Sequence, residues 1–384
     1  MLRLQHGHRV PVAFAGAALV AASALGALGA APAWAETLGG EQLSTSAVTA
    51  TLGTEAAPLP HVKAATWVLA DAETGEILAH KGAHVRRAPA STLKMLTALT
   101  VMPKVPAETR YVATPKAAYT YGARVGLKVG KTYTVDQLWY AVFLPSANDA
   151  AIAVAEANGG VRKTVREMND VAYELRALDT VARTPNGLDA PGQVSSAYDL
   201  ALMARAGLER ADFATYASTP RSTFPNVKGK GSHPIYTTNR LLLHAWPGAI
   251  GVKTGFTTQA GRTYVGAAKR HGRTLVVTLM GIRESSEWAA KKLLKWGFKN
   301  ADAVTPVGQL VDPGSPLPAS GPSASAAPAS PPAQPVAAGT GSDDSSVSAA
   351  AAGPTPAGLP VLAIAGAVLL AAVLGGTFVA VRRR

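Results

Sequence analysis

Strand-like runs stand at both ends of residues 61–300, and between them the apolar pattern is helical. No other feature restricts the fold as much. Residues 64–70 form an apolar run, followed by Asp71-Ala72-Glu73-Thr74-Gly75 and a second run over 76–80. That is the pattern of a hairpin with a glycine-containing turn. Helices are predicted from Ser91 to about residue 100, and over 135–143 behind a Thr134 cap and ahead of Pro145. Further helices are predicted over 148–156, 161–175 and 195–206. Residues 263–268 and 274–280 then read as strands, and 286–296 as a closing amphipathic helix. Strands first, helices in the middle, strands and a helix last: one α+β domain whose sheet joins both ends.

The flanks read differently. Residues 1–35 resemble a secretory signal, with Arg3 and Arg9 at the start, an apolar run over 10–28 and a small-x-small site at Ala33-Trp34-Ala35. Residues 36–60 are polar without a clear period and are expected to be a flexible leader. Residues 301–358 are rich in Ala, Pro, Ser and Gly, too poor in large apolar side chains to order themselves, and are expected to be a disordered stalk. Residues 359–381 carry no charge, which at about 1.5 Å per residue suffices to span a bilayer as one transmembrane helix. The tail 382–384, three arginines, then lies in the cytoplasm and the domain outside the cell membrane. A sortase-type anchor shares this design, but Leu359-Pro360-Val361-Leu362-Ala363 departs from Leu-Pro-x-Thr-Gly.

Composition narrows the chemistry. The 384 residues contain no cysteine, which excludes a thiol nucleophile, a disulfide framework and any cysteine-held metal. Net charge is +13, and about +12 of it falls within residues 36–300. Without a recognisable nucleic-acid module, an anionic envelope surface is a better neighbour for this body than nucleic acid.

Chemistry concentrates where the first helix begins. Pro89 favours an extended approach, Ser91 stands at the N-cap position, and Lys94 follows three residues later on the same face. A helix start disfavours an ammonium and favours a developing oxyanion, both useful for activating a serine. Ser-x-x-Lys alone is common. Here Ser146-Ala147-Asn148 follows in a loop between two helices, and Lys253-Thr254-Gly255 follows within a strand-like segment.

These three motifs, in this order, resemble the signature of class A β-lactamases and penicillin-binding proteins. The segments 87–91, 144–151, 186–189 and 251–257 narrow the resemblance to the serine-type D-alanyl-D-alanine carboxypeptidases, the low-molecular-mass penicillin-binding proteins of peptidase family S11. The resemblance covers about residues 61–300 and implies a β-lactamase/DD-peptidase-like domain: an antiparallel sheet flanked by helices, a helical cluster, and the nucleophile at their junction. It implies that Ser91 attacks the peptide bond between the two terminal D-alanines of a peptidoglycan stem. Lys94 would be the base, Ser146 a proton relay and Asn148 a positioning group. Lys253 would be the second cation that, with burial, lowers the pKa of Lys94. By the same resemblance the N–H groups of Ser91 and Phe256 hold the oxyanion, and Gly255 lets the substrate backbone approach. Thr254 and Lys253, then Thr257, and Arg240 within Tyr236-Thr237-Thr238-Asn239-Arg240, are candidates for the terminal carboxylate. No cofactor is implied, and β-lactams would be covalent inhibitors.

Rival readings are weaker. A β-lactamase needs a further carboxylate, usually in Glu-x-x-Leu-Asn, and no such string occurs. An inert wall-binding protein would have no need of intact motifs. His80 and His84 have i,i+4 spacing but no acidic company, so no metal site is expected. The absence of Gly-x-Ser-x-Gly argues against an α/β-hydrolase.

Overall fold

Strands from the two ends of the domain meet in one antiparallel sheet. The computed structural model describes residues 37–226 and 230–317. The expected signal peptide, the expected membrane span with its arginine tail, and the part of the expected stalk beyond residue 317 lie outside the described residues. Among the described residues no helix is long and apolar enough to cross a membrane.

The expected hairpin comprises Thr66–Asp71 and Glu76–Lys81. Its turn is built by Asp71, whose Oδ1 accepts from the backbone N–H of Glu73 (2.9 Å) and Thr74 (3.2 Å). Arg273–Ile282 adds beside Thr66–Asp71, then Gly261–Arg270, and finally Ala249–Thr257 as an edge. Thr66–Asp71 is buried on both faces. Trp67 and Leu69 pack with Leu293, Leu294 and Trp296 of the closing helix Ser286–Asn300. The alternate residues Val68 and Ala70 pack into the helical side. Each of the larger side chains contributes about 1.5–3 kcal/mol of burial, enough to fix the register.

The helix Lys94–Val101 runs through the middle of the other layer with every residue buried. Asn148–Ala157, Val161–Glu174 and Ala197–Leu208 surround it. Val135–Phe143 starts with a reciprocal capping box, Thr134 Oγ1 accepting from Gln137 N and Gln137 Oε1 accepting from Thr134 N.

Two expectations need correction. Residues 37–60 are not a free leader. Leu43 is buried, Val48–Thr49 pairs with His80 and Lys81, and Thr51–Leu52 pairs with Val304–Thr305. His80 and His84, considered above as a metal pair, instead meet this segment at Gln42 O and Leu38 O, each at 3.0 Å. Nor are residues 301–317 part of a disordered stalk. Gly308–Gln309 pairs with Glu76–Lys81, and Arg205 Nη1 donates to Asp312 Oδ1 at 2.8 Å. Two-residue strands are too short to leave a period in the sequence, so both flanking pieces looked polar and featureless. The hairpin of Arg221–Pro225 and Ser232–Tyr236 also went unread, because prolines punctuate it at 220, 225 and 234.

Candidate active site

Ser91 lies in a 3-10 turn, Ala90–Leu93, that leads into Lys94–Val101. The expected N-cap role is not taken: no side-chain cap bond forms there. The turn is held instead by Thr92 Oγ1 within it and by Thr263 Oγ1 from the sheet, which donate to Pro89 O at 2.6 and 2.9 Å. Ala90 is fixed at φ 50°, in the left-handed region that costs a residue with a Cβ about 1–2 kcal/mol. Strain of this kind, immediately before a reactive side chain, persists only where surrounding packing imposes it.

Freed from capping, the serine hydroxyl faces Lys94. Lys94 Nζ lies 2.7 Å from each of three oxygens: Ser91 Oγ, Asn148 Oδ1 and the carbonyl of Asn186. No carboxylate pairs with it among the described residues. Lys94 is completely buried, and burial first, then the charge of Lys253, holds its pKa well below the ordinary lysine value against an opposing pull from Asp149. A neutral amine has two hydrogens and one lone pair. Two of its neighbours can only accept and the third is a hydroxyl, so the site matches an amine that donates to Asn148 and Asn186 and accepts from Ser91.

Asn148 opens the helix Asn148–Ala157, and its Nδ2 donates to Tyr121 O at 2.9 Å. Its neighbour Asp149 is buried and accepts from the N–H groups of Val125, Gly126 and Leu127 at 2.8–3.0 Å. Together they fasten the 121–127 loop over the site. Ser146 occupies the turn between two helices at φ 62°.

The sheet contributes its edge strand Ala249–Thr257. Lys253, also buried, donates to Ser146 Oγ at 2.8 Å and to Thr254 O at 2.9 Å. Burial pushes its pKa down to about 7. Two residues on, Gly255 faces the same way, and a Cβ there would stand 2.8 Å from Ser91 N and 2.4 Å from Thr263 Oγ1. Only glycine permits this approach. Thr254 and Phe256 turn to the other face, where the hydroxyls of Thr254 and Thr238 lie 2.6 Å apart.

Ser91, Ser146, Asn148, Thr254, Gly255, Phe256, Thr257 and Arg240 all line one open cavity of about 930 Å³, with Lys94 and Lys253 buried behind them. Every residue named from the sequence is therefore brought to one place. The sequence reading missed the carbonyl of Asn186, the Thr238 hydroxyl and the Tyr121 carbonyl. It also missed Asp189, which accepts from Thr257 Oγ1 at 2.7 Å.

An antiparallel sheet capped by helices, with a serine and a buried lysine in contact at the seam, defines a serine hydrolase of the Ser–Lys type. A family model described as D-alanyl-D-alanine carboxypeptidase, peptidase S11, matches residues 53–284. The chain belongs to this family. It is 39% identical over 248 residues to the D-alanyl-D-alanine carboxypeptidase DacB2 of Mycobacterium tuberculosis, covering 63% of this chain and 84% of that protein. The crystal structure of a D-alanyl-D-alanine carboxypeptidase from M. tuberculosis H37Rv superposes with a TM-score of 0.64 at 37% identity. That match covers 67% of this chain and 99% of that one. The Streptomyces K15 DD-transpeptidase superposes with a TM-score of 0.60 at 27% identity, covering 63% and 100%.

Proposed function

We propose that this chain is a serine DD-carboxypeptidase that removes the terminal D-alanine from peptidoglycan stem pentapeptides through an acyl-enzyme on Ser91. The contact set of Lys94 carries the reading: a buried amine with two acceptors and one hydroxyl, and no carboxylate in contact with it among the described residues. Ser91 Oγ attacks the penultimate D-alanine carbonyl carbon and its proton passes to Lys94 Nζ. The oxyanion is held by the N–H groups of Ser91 and Phe256. Collapse breaks the C–N bond, and the departing amine takes a proton from Lys94 through Ser146. Water then attacks the ester as Lys94 takes its proton, and the bond to Ser91 Oγ breaks as Lys94 returns that proton to the serine.

Thr254, Thr257, Arg240 and Lys253 bind the terminal carboxylate of the substrate. A β-lactam presents the same unit and acylates Ser91. Three carboxylates line the cavity, Asp189, Glu284 and Glu287, and each is engaged by neighbouring donors. Export and anchoring in the cell membrane belong to the same proposal, supported by the sequences of residues 1–35 and 359–384. Release of free D-alanine from a pentapeptide by the wild type, abolished in a folded Ser91→Ala variant, tests it. Undiminished release by that variant would overturn it.

A further inference from the structure

Two arginines face the site cavity with no acid answering them. Arg240 and Arg262 both line it, and neither makes an ion pair or a side-chain hydrogen bond among the described residues. Of the carboxylates that share the cavity, Glu284 and Glu287 are paired with cations elsewhere, and Asp189 is held by uncharged donors and by neither arginine. Asp189 accepts from Thr257 and Gln259, Glu284 from Lys292 and the Lys63 N–H, and Glu287 from Lys291 and His244. The cavity therefore presents two guanidinium groups with no ion-pair partner among the described residues, beside a single carboxylate, Asp189, held only by uncharged donors, whereas a stem peptide needs one guanidinium for its terminal carboxylate.

Both sit by the last four residues of the edge strand, Arg240 on the Thr254 side and Arg262 on the Phe256 side. Arg240 comes two residues after Thr238, whose hydroxyl meets that of Thr254, so it belongs to the end that receives the departing D-alanine. Arg262 stands directly across the ladder from Phe256. Cross-strand partners point to the same face with Cβ atoms about 4.5–5.5 Å apart, so its side chain rises beside the Phe256 ring. A peptide laid along the open edge, with its reacting carbonyl between Ser91 and Phe256, sends its upstream residue past Phe256 and Arg262. The exposed ring offers a wall for methylenes and the guanidinium a fork for an anion at their end.

We propose that Arg262 is a specificity-determining residue that binds a second carboxylate, carried on the side chain of the stem residue immediately upstream of the D-alanyl-D-alanine unit. This rests on the carboxypeptidase reading above. The preferred substrate is then a stem whose third residue is a diamino diacid with its side-chain carboxylate free. An amidated stem, or one with a diamino monoacid there, leaves Arg262 unanswered.

The test uses the full-length protein in detergent and two pentapeptides that differ only at the third residue, meso-diaminopimelate against its side-chain carboxamide. D-Alanine release gives kcat/KM for each. The wild type should prefer the free carboxylate by about 10-fold or more, mainly through KM, the range expected for one charge-assisted pair. In Arg262→Gln the ratio should fall to about 1, and in Arg262→Glu it should invert in favour of the carboxamide, with thermal melts reporting that both fold. An inversion separates carboxylate recognition from a merely structural role. A wild-type ratio near 1, or a ratio that survives in both variants, overturns the proposal while leaving the carboxypeptidase reading intact. No release from either stem overturns that reading, and the proposal with it.

Discussion

Lys253 on the sheet edge donates to Ser146 in the helical layer across 2.8 Å, joining positions 107 residues apart in sequence. That bond lies on the seam between the two layers and next to the reacting centre, so it serves the fold and the chemistry together. Ser146→Ala leaves the Lys253 amine with Thr254 O as its remaining partner. The variant should lose about 1–3 kcal/mol of stability. Its kcat/KM for D-alanine release should fall about 100- to 10,000-fold, the scale of a lost proton-transfer group. Denaturant unfolding and steady-state kinetics on one preparation measure both.

Stability should rise with pH above neutrality. Burial lowers Lys253 to about 7 in the folded protein, against an ordinary lysine value of 10.5 when unfolded. Between those values the unfolded chain holds a proton that the folded chain has released, so raising the pH favours the fold. As pH falls to about 7 this contribution is lost, and Lys94, displaced in the same direction, acts with the same sign. Melting temperatures followed from about pH 7 to 9 should climb, and Lys253→Met should flatten the slope. A wild-type slope that is flat or reversed would contradict the buried-amine electrostatics.

Gly187 has φ +76°, and a Cβ there would stand 2.0 Å from Ala90 O. The backbone at 186–187 must lie that close for the Asn186 carbonyl to reach Lys94. Gly187→Ala should destabilise the protein by about 1–3 kcal/mol through strain and slow acylation of Ser91 by pushing that carbonyl away. Rates of labelling by a fluorescent penicillin, set beside unfolding curves, distinguish the two effects.

The parts of the site legible in the sequence are those that act through side chains at fixed spacing. Ser91 and Lys94 meet because three residues make roughly one helical turn, and Lys253 and Gly255 share a face because strands alternate. Asn186 was visible only as part of a family segment, because its contribution is a carbonyl oxygen that any residue type could supply. The N-cap expected for Ser91 failed because Pro89, Ala90 and the Thr263 hydroxyl turn the chain differently. The hairpin, the central helices and the closing helix were legible from long periodic runs. The packed segments at 37–60 and 301–317 were not, since their order comes from distant partners such as Trp296, whose Nε1 donates to Ala57 O at 2.7 Å.

The most direct measurement is the intact mass of the full-length protein after brief exposure to penicillin, followed by peptide mapping. The account predicts one long-lived adduct per chain, on the peptide containing Ser91, absent from Ser91→Ala and formed far more slowly by Lys94→Met. No adduct on the wild type, or an adduct that persists in Ser91→Ala, would contradict it.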